Sequence, residues 1–546
     1  MSPLPQPFPK IDVSEDYNPA IRLYGHRFIK EQTILEYAAE FLSVVFSPKW
    51  IGKNLVNSPL PTREELDNWP VNLPLKYKPP IKLNLKLFAF LGASRIDGRH
   101  EVHKQHFKEL IDLLNNSIRS NQERTQEVIE CLQEFLRGFQ GAGLNRAWCA
   151  QAFYPISASL LTKETIWNES KAKNCAPDDW FSTISTNDRF IFYYSTNKRD
   201  FMARGGELLY LQLCNVFRTD EAKLHDMASQ YEFPPTEADI QQLYQDLCQG
   251  LSRLNGVLPS PFDKLVDFIE NLDIETHRMT NKTNKNEKKQ MIECEWCPED
   301  SWPEGYLFAV ELKRLMDSTL DPTERLNLFM TGCVLQVLRS ICAQSVRYAG
   351  ISNKCKCPLG YSWIFTVANP TTQQRNLSQH NLQAIQVLIQ KSLWNEDLQE
   401  NAKRSANKTK SELYKEAESR YAFKLLISLG KKLGIIIPYK GTRGVRFVMT
   451  QGLLRYLVVA LLQPGERITY KDFLDRLYLH YGIAVEGEQL EDALQWSGLP
   501  PLNVTQKMVL NDMLQTGGFL TQLSDYWSIV RNPFISSNKH LGDNRI

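Results

Sequence analysis

Four cysteines stand at spacings that suit a metal ion. Cys294-Glu-Trp-Cys297 is a CxxC unit and Cys355-Lys-Cys357 a CxC unit. Together they supply the four thiolates of a tetrahedral structural Zn²⁺, with no coordination position left open for catalysis. The halves meet only if the long chain between them doubles back; otherwise they are two unrelated turns. His100, His103 and His106 recur every third residue and can share one helix face, where two imidazoles reach a single metal. No paired carboxylate accompanies them, so a solvated polar face is the simpler reading. The chain has 11 cysteines, an odd number scattered through helical patterns. That usage predicts reduced thiols in a cytoplasm, not a disulfide framework.

A second constellation is acidic. Glu299, Asp300, Glu311 and Lys313 follow an order that resembles the metal-binding core of PD-(D/E)xK nucleases. In such a core, carboxylates hold Mg²⁺ and the lysine assists the attacking water. Against it, Phe308, Leu312, Leu315 and Met316 recur at helical spacing, whereas that core places Glu-x-Lys on a strand. The glycines at 138–143 and Gly205-Gly206 lack the pattern of a phosphate-binding loop, and no nucleophile elbow or His-Glu-x-x-His is present.

The largest asymmetry is electrostatic. Residues 403–446 hold twelve basic residues and three acids, an excess of nine positive charges in a protein of formal charge +2. Clustered Lys and Arg attract nucleic acid because neutralising phosphates releases condensed counterions. Within the stretch, a helix at 412–433 has Leu425, Leu426, Leu429 and Leu433 as its apolar stripe. The turn-rich sequence 434–449 then predicts a hairpin tipped by Lys440, Arg443 and Arg446, with Gly441 and Gly444 to turn the backbone. Lys424, Lys431, Lys432, Lys440, Arg443 and Arg446 are the expected DNA contacts. The same surface can instead serve protein docking, and a Lys-rich helix face is often only solvated.

The elements around these residues are mostly helical. At 546 residues, 42% apolar and 23% charged, the chain has the make-up of an ordinary globular protein of several domains. Its periodicity predicts a helical N-terminal part at 1–277, a basic polar linker at 278–290, a helical middle part at 291–400 and a C-terminal part at 401–546. Asp321-Pro322-Thr-Glu324 carries three agreeing helix-start signals, and strands are expected at 189–194 and 362–368. Residues 81–96 are apolar in a way that fits either a strand or a buried helix. Helix 451–462, apolar on most sides, should lie in the core. Strand-like segments near 519–523 and 527–530 suggest a second hairpin. No apolar run approaches the ~20 residues that span a bilayer, so no membrane partner is expected.

A helix followed by a basic hairpin resembles winged-helix proteins, over about 412–481. The whole chain resembles accessory subunits of bacterial DNA-modification and phage-defence systems: a large helical N-terminal part containing Ala203-Arg-Gly-Gly-Glu207 and a DNA-binding-like end. The resemblance implies a mainly α protein with small β elements and a winged-helix-like C-terminal region. It further implies a non-catalytic subunit that contacts DNA and works beside a separate ATPase or nuclease. The alternatives are a protein-only scaffold and a Mg²⁺-dependent nuclease.

Overall fold

The longest element begins where its start signals agree. The Asp321 carboxylate accepts from the backbone N–H groups of Thr323 and Glu324 at 2.9 and 3.3 Å, and Pro322 takes the first helical position. Both features satisfy groups that a helix start leaves without partners. The helix runs Pro322–Tyr348. Helices Ile34–Phe46, Trp302–Asp317, Thr372–Leu393 and Gln451–Leu461 pack around it. By length and composition it is apolar enough to cross a membrane, the one such helix among the described residues. Its most apolar window is 83% buried inside the protein.

The computed structural model describes residues 4–14, 16–25, 28, 32–80, 82–91, 101–119, 121–139, 152–162, 166–167, 194–195, 205–255, 261–272, 291–350, 355–367, 369–402, 408–441, 443–501, 509–523 and 528–536. The linker expected at 278–290, most of the strand expected at 189–194, and His100 lie outside them. The described chain is mainly α-helical with small sheets. Residues 83–91 form the helix Leu83–Leu91.

Buried ion pairs fasten Trp302–Asp317 to the long helix. Glu311 accepts from Arg339 at 2.7 and 2.9 Å, and Glu304 accepts from Arg347 at 2.9 and 2.5 Å. The partner's number falls as the residue's number rises, so the two helices run antiparallel. Burial pushes the His480 imidazole down to about 4, even though Glu311 Oε1 lies 3.4 Å from its Nδ1. Burial pushes the Glu486 carboxyl the other way, up to about 7, where it accepts from the Tyr470 hydroxyl.

These two groups oppose each other in acid. From pH 6.5 down to about 4, His480 takes a proton only in the unfolded chain, so stability is lost. From about 7 down to 4.5, Glu486 takes one only in the folded chain, so stability is gained. Glu486→Gln removes the opposing effect. In urea titrations the variant should be more stable than wild type at pH 8 and should lose stability more steeply as the pH falls to 5.

Helix Gly205–Arg218 sits backbone to backbone on Ile34–Phe46, and this explains the paired glycines. A Cβ on Gly206 would collide with Tyr37 O and lie 2.5 Å from Phe41 N. Backbone atoms cannot swing aside as a side chain can, so Gly206→Ala forces the helices apart. The expected loss is about 2–3 kcal/mol, read from denaturant midpoints. Gly452→Ala is the control: nothing lies within 4 Å of its Cβ.

Two sheets organise the C-terminal half. In the first, the order is Ile436–Ile437, Arg446–Val448, Trp363–Thr366, Ile483–Ala484; the first pairing is antiparallel and the other two parallel. Phe365 and Phe447 stack across it with ring centroids 5.0 Å apart. The expected hairpin therefore forms, and its second strand leans on a strand from the middle of the chain. In the second sheet, Arg467–Thr469, Ser528–Arg531 and Leu520–Gln522 pair antiparallel in that order. Near the N-terminus, Tyr77 pairs with Ile292 and Phe8 with Cys297, which ties residues on both sides of 278–290 into shared sheets.

Candidate nucleic-acid interface

The basic helix is shorter than its periodicity suggests. Thr409 and Glu412 form a reciprocal capping box that starts helix Lys410–Glu416. A wider turn at Ala417–Tyr421 follows, and Ala422, at φ −124° and ψ −121°, breaks the chain before helix Phe423–Lys432. The second helix buries Leu425, Leu426 and Leu429 and leaves Lys424 exposed. Gly430 lets it touch the sheet, since a Cβ there would lie 2.6 Å from Ile436 Cγ1. The turn after it needs Gly434 at φ +79°.

The six expected contact residues have different environments. Lys431 Nζ donates to Gly441 O at 2.6 Å, tying the helix end to the hairpin. Lys432 Nζ donates to Gln32 O at 2.8 Å, which holds it against the N-terminal part. Arg446 is half-buried; its Nη1 donates to Gly444 O at 3.4 Å and its Nε is buried without a partner. Lys424, Lys440 and Arg443 are exposed. Among the described residues, none of Lys424, Lys440, Arg443 and Arg446 has a carboxylate within ion-pair distance. The nearby Glu416 is already engaged by Lys408 at 2.7 Å and Arg420 at 3.7 Å.

The fold adds a cation that the linear sequence does not place here. Arg375 lies in the first turn of helix Thr372–Leu393, which packs on strand Arg446–Val448. Ser378 on that helix accepts from Phe447 N at 3.1 Å and fixes the crossing. Burial first, and Arg375 second, push the Arg446 guanidinium below its ordinary value. Arg375 is exposed at the start of its helix and adds a like charge to this side of the hairpin. Tyr439, adjacent to Lys440 in the chain, is 69% exposed.

The zinc expectation is overturned. Among the described residues, no group of three or more His, Cys, Asp and Glu side chains can hold a metal ion. The two cysteine pairs sit in different surroundings. Cys294 N donates to Leu75 O at 2.8 Å, and Cys297 pairs with Phe8. Cys355 instead lies within 3.1 Å of both Ser362 Oγ and Tyr478 Oη. Zinc needs thiolates, yet burial pushes the thiols of Cys297 and Cys357 well above their ordinary values. Spacing alone suggested the site; the path of the chain between the pairs does not bring them together.

The acidic constellation is absorbed into packing. Glu311 and Lys313 lie on helix Trp302–Asp317. Glu311 is paired with Arg339, while Lys313 Nζ stands 3.9 Å from Glu237 and 3.8 Å from Asp246. Asp300 accepts from Gln344 at 3.1 Å and from the Tyr348 hydroxyl at 2.9 Å, and Glu299 pairs with Arg218 at 3.4 Å. His103 and His106 fall in helix Glu101–Ser117.

No protein-family model matches the chain, and no curated protein or solved structure matches it.

Proposed function

We propose that this protein is a nucleic-acid-binding assembly subunit whose contact surface is the hairpin of Ile436–Ile437 and Arg446–Val448, with helix Phe423–Lys432 and Arg375 beside it. The observation that carries the reading is the set of exposed cations on and around the hairpin, Arg375, Lys424, Lys440 and Arg443, none of which has a carboxylate within ion-pair distance among the described residues. Clustered cations attract a polyanion, whose binding releases its condensed counterions. Arginines also suit phosphate geometry through their fixed fork of donors. The winged-helix reading shifts along the chain. Helix Gln451–Leu461, strand Arg467–Thr469, helices Tyr470–Tyr481 and Val509–Thr516, and strands Leu520–Gln522 and Ser528–Arg531 resemble the element order of a winged helix, with strand Ile483–Ala484 and helix Gly487–Trp496 inserted between its second and third helices. In that reading the basic hairpin stands immediately before the winged-helix-like unit and extends its surface.

Protein docking is the second reading, and one residue favours it. Leu523, just after strand Leu520–Gln522, is 63% exposed and offers an apolar side chain to a partner. In this reading the subunit joins a separate ATPase or nuclease of a bacterial DNA-processing or phage-defence system.

Fluorescence anisotropy with labelled duplex DNA, single-stranded DNA and RNA, from 50 to 200 mM salt (about the range over which phosphate contacts dominate), tests the proposal. Binding that weakens linearly in log–log form is expected. No binding to any of the three at the lowest salt would falsify it, and Mg²⁺-dependent cleavage in the same tubes would replace it with the nuclease reading.

A further inference from the structure

Cys355 and Cys357 form a dithiol in a setting that the nucleic-acid reading does not use. Cys355 is half-buried and Cys357 is buried. Around Cys355 Sγ stand Ser362 Oγ and Tyr478 Oη, each at 3.1 Å, Asp492 Oδ2 at 3.6 Å and Tyr361 O at 3.7 Å. Ser362 and Tyr478 are themselves 2.7 Å apart, and Tyr478 also bonds Asp492. The backbone N–H of Lys356, between the two cysteines, donates to Asp492 Oδ2 at 2.9 Å and holds the CxC turn against helix Gly487–Trp496. Three elements therefore converge on one sulfur: the turn itself, helix Tyr470–Tyr481 and helix Gly487–Trp496.

We propose that Cys355 and Cys357 are a peroxide-reactive dithiol, in which Cys355 is the attacking thiol and Cys357 the resolving one. The assignment follows from position. Cys355 is the more accessible sulfur, Ser362 Oγ can donate to its thiolate, and Tyr478, whose hydroxyl donates to Asp492, fixes that carboxylate near the thiol proton. Cys357 is shielded from solvent but lies two residues away, with its Sγ 4.0 Å from Leu479 O. The neighbouring Cys357 is the largest influence holding the Cys355 thiol below its ordinary value, while burial pushes Cys357 well above its own. The pair thus keeps one proton on the buried sulfur and frees the other. Low-pKa, accessible thiols next to a resolving cysteine are the ones that hydroperoxides oxidise first.

The chemistry balances in two steps. The Cys355 thiolate attacks a peroxide oxygen of ROOH; the S–O bond forms, the O–O bond breaks, and alkoxide leaves as ROH after taking a proton. The sulfur is now a sulfenic acid. The Cys357 thiol then attacks that sulfur; the S–S bond forms, the S–O bond breaks, and hydroxide leaves with the Cys357 proton as water. In sum, two thiols lose two electrons and the hydroperoxide gains them.

The test uses the full chain, hydrogen peroxide at one equivalent, rapid alkylation and peptide mass spectrometry. Exposed Cys131 is the internal reference. A Cys355–Cys357 disulfide should form at least about tenfold faster than Cys131 is oxidised. Cys357→Ser should stop the sequence at a sulfenic acid on Cys355 that a dimedone probe traps. Tyr478→Phe, which leaves both thiols in place, should slow the first step. Oxidation of Cys355 no faster than that of Cys131 overturns the proposal. So does a sulfenic acid on Cys355 of the wild-type chain that persists without disulfide.

Discussion

Arg339→Ala should cost about 3–5 kcal/mol and move the urea midpoint down accordingly. Arg339 is 0% exposed and its guanidinium meets several partners at once. It donates to both Glu311 oxygens, to Gln336 Oε1 from Nε at 2.8 Å, and to the backbone carbonyl of His480 at 3.1 Å, and it lies 4.7 Å from the Tyr481 ring centroid. Gln336 in turn donates to Gln212 Oε1 at 2.9 Å, so the network links helices Trp302–Asp317, Pro322–Tyr348, Gly205–Arg218 and Tyr470–Tyr481. Removing the arginine leaves a buried carboxylate without its countercharge and at least two acceptors without donors. An unpaired buried charge is far more expensive than the pair is favourable. The double variant Arg339→Met, Glu311→Gln should therefore recover much of the loss. Urea titration of the wild type, the single variants Arg339→Met and Glu311→Gln, and the double variant gives the coupling. Additive losses for the two single changes would mean the pair is not energetically linked.

The same network shows which parts of the fold sequence could reveal. Local grammar was legible. Asp321-Pro322 started its helix, the apolar sequence from Gln451 formed a core helix, and the glycines of 434–449 turned a hairpin, because each depends on neighbours in sequence. The break at Ala422 was not legible, since Leu425, Leu426 and Leu429 keep helical spacing on one side of it while the wider turn is accommodated by tertiary packing. Contacts between distant residues were least legible. Glu311-x-Lys313 has the same letters whether it holds a metal or a pair of ion bridges, and only the location of Arg339, Glu237 and Asp246 separates the two. Cys294, Cys297, Cys355 and Cys357 likewise share zinc-like spacings, but hydrogen bonds already claim Cys355 where it sits. Arg375 could not be assigned to the basic surface before strands Trp363–Thr366 and Arg446–Val448 were known to be neighbours.

Reversing the charge of Arg375, Lys440 and Arg443 together should lower nucleic-acid affinity about 10²–10³-fold at low salt and flatten the log–log salt dependence by about 0.9 for each phosphate no longer neutralised. All three side chains are exposed, so the triple glutamate variant should keep its fold and its denaturant midpoint. Net charge is the confounding effect: the triple change moves the protein from +2 to a negative value, and a uniformly acidic protein binds nucleic acid less well wherever it touches. The matched control makes the same change at Arg63, Lys76 and Arg137, each already paired on the surface with Asp67, Glu293 and Glu134. Local phosphate binding predicts a large loss for the first triple and a small one for the second. Equal losses would assign the attraction to overall charge. Lys432→Met separates anchoring from phosphate binding within the patch itself. Its ammonium is spent on Gln32 O, so this substitution should lower stability while leaving the salt slope unchanged, whereas substitution of an exposed residue such as Lys440 should do the reverse.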